Sequence, residues 1–229
     1  MKILGFQKLT MLDYPGKMAC LIFTAGCNFR CPFCHNAPLV TQIDSEEISQ
    51  DEILAYLKKR KGILDGVCIT GGEPLLNKDL KDFIIKIKQL GYPVKVDTNG
   101  SLPDQLEMLI NEGLVDYVAM DIKTCPDRYG LVAGVQDLDI TKIDQSVKLL
   151  LQNRVDYEFR TTVCGPFHTA SDFEKIGNWI KGAKKYYLQA FVDSGHLIGE
   201  GVFPLPKTEM ESFVSLVSPF VEEVKIRGI

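Results

Sequence analysis

Between residues 18 and 226 the chain repeats one pattern, a short β-prone apolar run followed by an amphipathic helical stretch, and this alternation limits the fold more than any other property of the sequence. The first run, Met18 to Thr24, leads through a polar loop into Ser49-Gln50-Asp51-Glu52-Ile53, where Ser49 is a natural N-cap and the apolar residues that follow recur at helical spacing. Further strands are predicted at 66–70, 94–97, 117–121, 157–163 and 186–192, with 223–226 as a last one. Helices are predicted at 78–90, 103–111, 141–153, 170–181 and 207–217. Units of this length give a parallel sheet, because a helix must carry the chain back before the next strand can run in the same direction. Eight such units close a full barrel, so six predict an α/β fold curled into a partial TIM barrel of the (β/α)6 kind. With 229 residues and 45% hydrophobic content, one core and a single domain over 1–229 are expected. The segment 124–140, containing Gly130 and Gly134, is the longest connection without an evident element and is expected to be a mobile, partner-facing surface loop.

In such a sheet the loops after the strands gather at one edge, and here those loops carry the polar residues. Cys27, Cys31 and Cys34 follow the first strand, Gly71-Gly72-Glu73-Pro74 the second, Asp97-Thr98-Asn99-Gly100 the third, and Asp121-Ile122-Lys123 the fourth. Three thiolates at this spacing grip three corners of a cubic four-iron four-sulfur cluster and leave one iron open for a substrate. A zinc site completed by His35 is the alternative, although structural zinc usually draws its four ligands from two pairs. Two glycines in the second loop permit close backbone approach to a ligand, and the Glu73 carboxylate there is suited to a ligand ammonium. A plain strand-ending turn explains the Gly and Pro alone, and Asn99-Gly100 is a favoured turn pair. Asp121 and Lys123 alternate along a strand and so point the same way, as in an ordinary ion pair.

A net charge of -4 with scattered lysines argues against a nucleic-acid or membrane surface, which needs a concentrated basic face. The opening Met1-Lys2-Ile3-Leu4-Gly5 lacks the pattern of a signal peptide, so a cytoplasmic location is expected. There the seven cysteines stay reduced, and a tight group of them reads as metal ligands. Cys20 and Cys68 sit within apolar runs and read as small buried hydrophobes.

The cysteine motif with Phe33 before its third member, together with Gly71-Gly72-Glu73-Pro74, resembles the radical S-adenosylmethionine superfamily. Within it, Gly5 to Lys17 and Phe23 to Asn36 resemble the short anaerobic ribonucleotide reductase activating proteins. The stretches Asp97 to Gly100 and Met120 to Lys123 are similar to pyruvate formate-lyase activating enzyme. The resemblance implies an oxidoreductase that reductively cleaves S-adenosylmethionine to a 5′-deoxyadenosyl radical, which removes a glycine hydrogen from a partner glycyl radical enzyme. Anaerobic ribonucleoside-triphosphate reductase is the expected partner, and a flavodoxin- or ferredoxin-type protein the electron donor. Cys27, Cys31 and Cys34 would hold one 4Fe-4S cluster, Phe33 would lie near the adenine, and Gly71, Gly72 and Glu73 would receive the methionyl amine. Asp97, Thr98 and Asp121 would bind a monovalent cation, and Lys123 would meet the methionyl carboxylate. Asn99 and Arg160 are further contacts. Where the formate-lyase activase carries a histidine on its sixth strand, this chain reads Leu188-Gln189-Ala190-Phe191-Val192, so Gln189 or Phe191 takes that place, while His196 falls several residues late. Only Cys68 lies between Cys34 and Gly71, which favours a single-cluster activase over one with a ferredoxin-like insert. A small-molecule enzyme similar to carboxydeazaguanine synthase and a non-enzymatic zinc or electron-transfer module are the competing functions.

Overall fold

A computed structural model of the chain describes residues 1–41, 46–193 and 195–228. The first element is one the alternation did not predict, a strand β1 at Ile3–Thr10 that pairs antiparallel with β2 at Ala19–Thr24. Most of β1 is only partly covered, so its sequence lacks the apolar run that marks the inner strands. Then follow α1 (Ala37–Thr41), α2 (Gln50–Lys59), β3 (Gly66–Gly71), α3 (Leu80–Gln89), β4 (Val94–Thr98), α4 (Pro103–Asn111) and β5 (Tyr117–Asp121). The second half comprises α5 (Tyr129–Ala133), α6 (Ile140–Leu151), β6 (Asp156–Gly165), α7 (Ala170–Trp179), β7 (Lys185–Ala190), β8 (Phe203–Pro204), α8 (Lys207–Val217) and β9 (Glu223–Arg227). Each strand and long helix expected from the pattern is present within two residues of its predicted ends, including the last strand.

The sheet order is β1-β2-β3-β4-β5-β6-β7-β9, parallel from β2 onward, with β8 attached to β6. Among the described residues its two ends, β1 and β9, are not hydrogen-bonded to each other, which leaves the partial barrel open on one side. Helices cover the outer face because their stripes are apolar. In α3, Phe83, Ile84 and Ile87 are completely buried, and each contributes roughly 1.5–3 kcal/mol relative to exposure. The start of α2 follows its sequence signal: the Glu52 N–H donates to Ser49 Oγ at 3.1 Å, with Asp51 and Glu52 in the positive first turn and Lys58 and Lys59 in the last.

The segment 124–140 is not the loose surface loop expected from its glycines. Cys125, Tyr129, Val132 and Ala133 are fully buried, Arg128 pairs with Asp172 at 2.6 Å, and the Arg30 N–H donates to the Ala133 carbonyl at 2.8 Å. Gly134 has φ +64°, and a Cβ there would stand 2.2 Å from the Arg30 carbonyl oxygen. Its glycine serves close packing against the cysteine loop, not mobility.

Candidate active site

The inner face of the sheet opens at the carboxyl ends of the strands into a cavity of about 330 Å³. Cys27, Cys31, Cys34, Phe33, Gly71, Gly72, Asp97, Thr98, Asn99, Asp121, Lys123, Arg160 and Gln189 all line it, so every predicted site residue except Glu73 reaches one space. Alternation explains the convergence. Asp121 and Arg160 are register partners on β5 and β6, and Thr162 and Gln189 are partners on β6 and β7.

The cysteine loop is held from several sides. Gly26 N–H donates to the Leu39 carbonyl at 2.8 Å, Arg30 donates to the Cys27 carbonyl at 2.6 Å, and the Cys34 N–H donates to the Cys31 carbonyl at 3.1 Å. The Cys27 sulfur accepts from the Phe29 N–H at 3.3 Å and from Asn99 Nδ2 at 3.8 Å, so donors already face the charge a thiolate would carry. Burial pushes the Cys31 thiol up to about 12 and raises Cys27 as well, so metal must displace protons from both. Among the described residues no three His, Cys, Asp or Glu side chains converge as the ligands of one ion do. His35 lines the same cavity, with its ring stacked on Phe191 at a centroid distance of 5.5 Å. Three thiols spread around one cavity, with donors to sulfur, fit the corners of a cube better than a single zinc ion.

Glu73 lies behind the cavity wall and not on its surface. It is fully buried, and its carboxylate accepts from the Leu75 N–H at 3.1 Å, the Thr98 hydroxyl at 2.8 Å and the Asn99 N–H at 2.6 Å. Three of its roughly four acceptor positions are taken by the chain itself, so Glu73 braces the loop after β4. Burial raises its pKa to about 7 even against those donors. In the same loop, Gly71 and Gly72 line the cavity.

Lys123 reaches the wall because its backbone is clamped. The Lys123 N–H donates to the Tyr129 hydroxyl at 3.2 Å, and the Lys123 carbonyl lies 2.8 Å from His168 Nε2. Its ammonium pairs with Asp121 Oδ2 at 3.1 Å. Arg160 bridges the two aspartates, through Nε to Asp121 Oδ1 at 3.0 Å and through one terminal nitrogen to Asp97 Oδ2 at 3.3 Å. Lys95, completely buried, bonds Asp97 Oδ1. Thr98 Oγ1 donates to Glu73 and accepts from the Gly100 N–H at 3.1 Å. The three residues expected to bind a monovalent cation, Asp97, Thr98 and Asp121, are thus each paired with other side chains of this protein.

Lys95 escaped the sequence reading, although a lysine inside Val94-Lys95-Val96-Asp97 is a usable signal: in a covered strand it must have a buried partner, and Asp97, two residues on, shares its face. Asp13, Asn36 and Thr162 also line the cavity without having been expected there. Phe33 lines the cavity, 3% exposed, beside Phe167 and His168. At the sixth-strand position, Gln189 lines the cavity, Phe191 backs His35, and His196 is exposed.

A model of the Radical SAM superfamily matches residues 21–180. A protein of Methanocaldococcus jannaschii, provisionally named a glycyl-radical enzyme activating enzyme, is 34% identical over 98% of this chain and 95% of its own length. A 7-carboxy-7-deazaguanine synthase of Koribacter versatilis is 30% identical over 64% of this chain and 62% of its own. Among solved structures, the Streptococcus suis protein SuiB bound to its precursor peptide SuiA superposes with a TM-score of 0.71 at 13% identity, covering 91% of this chain and 48% of that one; the likeness is one of fold. A family profile spanning well over half of the chain and a relative matched from end to end establish that this protein belongs to the radical S-adenosylmethionine superfamily, a family of enzymes built around a 4Fe-4S cluster and S-adenosylmethionine.

Proposed function

We propose that the chain, acting as one domain over 1–229, is a glycyl-radical enzyme activase whose partner is an anaerobic ribonucleoside-triphosphate reductase. The near-complete match in both directions to the archaeal relative named as a glycyl-radical enzyme activating enzyme supports the activase part of this reading, and the resemblance of Gly5 to Lys17 and Phe23 to Asn36 supports the choice of partner. The open side of the sheet between β1 and β9 supports it, since a polypeptide loop needs a lateral entrance to reach the cavity. Bound together, the cluster and S-adenosylmethionine supply one-electron cleavage of the sulfur to 5′-carbon bond and hydrogen abstraction from a glycine α-carbon, whose radical the flanking amides stabilise.

The chain's own residues hold and orient. Cys27, Cys31 and Cys34 hold the cluster, and the Gly71 and Gly72 backbone takes the methionyl amine. Lys123 pairs with the methionyl carboxylate, while Asn99 and Gln189 take contacts along the cofactor. Phe23, Phe29 and Phe33 in the cavity wall exclude water from the reacting carbon. A flavodoxin- or ferredoxin-type protein in the cytoplasm supplies the electron. The monovalent cation suggested by the resemblance is left out because Asp97, Thr98 and Asp121 are already engaged.

Mixing reduced, cluster-loaded protein with S-adenosylmethionine and the reductase tests this. A glycyl electron-spin signal is expected; silence from protein that still cleaves S-adenosylmethionine would overturn it. The partial match to a carboxydeazaguanine synthase supplies the second reading. It predicts 5′-deoxyadenosine release driven by a pterin-like molecule without any partner protein.

A further inference from the structure

Lys95, Asp97, Arg160, Asp121 and Lys123 form one continuous ladder of charge across β4, β5 and β6. Every carboxylate oxygen in it has its own cationic partner: Asp97 Oδ1 meets Lys95, Asp97 Oδ2 and Asp121 Oδ1 meet Arg160, and Asp121 Oδ2 meets Lys123. The nearer ends are shielded from water. Lys95 is wholly buried, and the Arg160 side chain is 12% exposed. A free cation entering between the aspartates would have to displace the guanidinium or stand against three positive groups. In a partly dehydrated site that repulsion is not screened as it is in bulk water.

We propose that Arg160, braced by Lys95 through Asp97, is a built-in replacement for a monovalent cation, so that the carboxylate of S-adenosylmethionine is received without any bound sodium or potassium. Three cations against two anions leave the ladder one positive charge in excess, which matches the single carboxylate of that ligand. Lys95 is a positioning residue that reaches the cofactor only through Asp97 and Arg160. The inference rests on S-adenosylmethionine binding in this cavity and concerns what balances the charge there.

The test is calorimetric titration of S-adenosylmethionine into cluster-loaded protein in sodium, potassium and choline chloride at equal ionic strength, choline being too large to enter the ladder. The unmodified protein is expected to bind within about threefold in all three salts, well under the tenfold that 1.4 kcal/mol represents. Arg160→Gln is expected to bind about tenfold more weakly in choline than in sodium or potassium, because a small cation then fills the gap. A larger dependence on salt identity in the unmodified protein would overturn the proposal. So would an Arg160→Gln protein indifferent to the cation. If Arg160→Gln does not fold, Lys95→Met poses the same question, with the same two outcomes. Melting of the ligand-free protein in the three salts is an independent readout: it should be invariant for the unmodified chain and raised by sodium or potassium in the variant. Loss of S-adenosylmethionine binding in every salt would count against the cavity assignment instead, and the melting series would then decide the ladder.

Discussion

Replacing Gly72 with alanine tests whether the turn after β3 and the cysteine loop are built to touch. An added Cβ would stand 1.9 Å from the Gly26 carbonyl oxygen and 2.5 Å from its carbon, with Cys27 Cβ at 3.2 Å. The oxygen is about 1.5 Å too close for ordinary contact, and the obstructing atoms are backbone, so no side chain can rotate away. Separating the two segments breaks the bonds from the Gly72 N–H to Thr24 O at 3.0 Å and from the Glu73 N–H to Gly26 O at 2.8 Å. Two hydrogen bonds at roughly 0.5–1.5 kcal/mol each, with about 1–3 kcal/mol of overpacking, give a loss of about 2–6 kcal/mol. For a chain of this length that lowers the melting temperature by roughly 5–20 °C. Because Gly26 is adjacent to Cys27, iron content after anaerobic reconstitution should fall in parallel. Gly16→Ala is the control: its φ is +70° but a Cβ there meets nothing within 4 Å, so only the left-handed backbone cost of roughly 1–2 kcal/mol applies. A Gly72→Ala protein that melts with the parent and binds a full complement of iron would refute the close-packing account.

Cys27→Ala, Cys31→Ala and Cys34→Ala should each abolish the brown cluster absorbance and the glycyl signal while leaving far-ultraviolet circular dichroism unchanged; cluster retention in any of them would remove that residue from the ligand set. Lys95→Met should destabilise the protein in a urea melt by somewhat less than the roughly 3–5 kcal/mol typical of a wholly unpaired buried charge, since Arg160 remains on Asp97. For Asp121, burial acts upward but Arg160 and Lys123 outweigh it and bring the pKa down to about 2. Its contribution to stability is therefore complete above its ordinary value of 3.8 and is lost as pH falls through about 2; acid titration of Asp121→Asn should show a flatter decline over that interval.

The parallel sheet was legible in the sequence because the spacing of apolar residues is a local property, set by which face of a strand or helix meets the core. The cysteine spacing was legible for a similar reason: three ligands on one short loop must close on one object whatever surrounds them. What the sequence left open was decided by groups brought together from distant positions. Glu73 stood in a loop at the mouth of the sheet, and the approach of Thr98 and Asn99 from β4 and its following loop placed two further donors on its carboxylate beside the local one from Leu75. Whether Asp97 and Asp121 hold a free ion or a guanidinium depends on the register that sets Arg160 opposite Asp121, which spacing along the chain cannot report. The segment 124–140 reads as loose because its glycines look like turn residues; packing showed that Gly134 is there to let two backbones touch. Local periodicity determined the scaffold and loop spacing the cysteine trio, whereas the charge balance in the cavity arose from register between strands, because Coulomb energy depends on distance in space and not on separation along the chain.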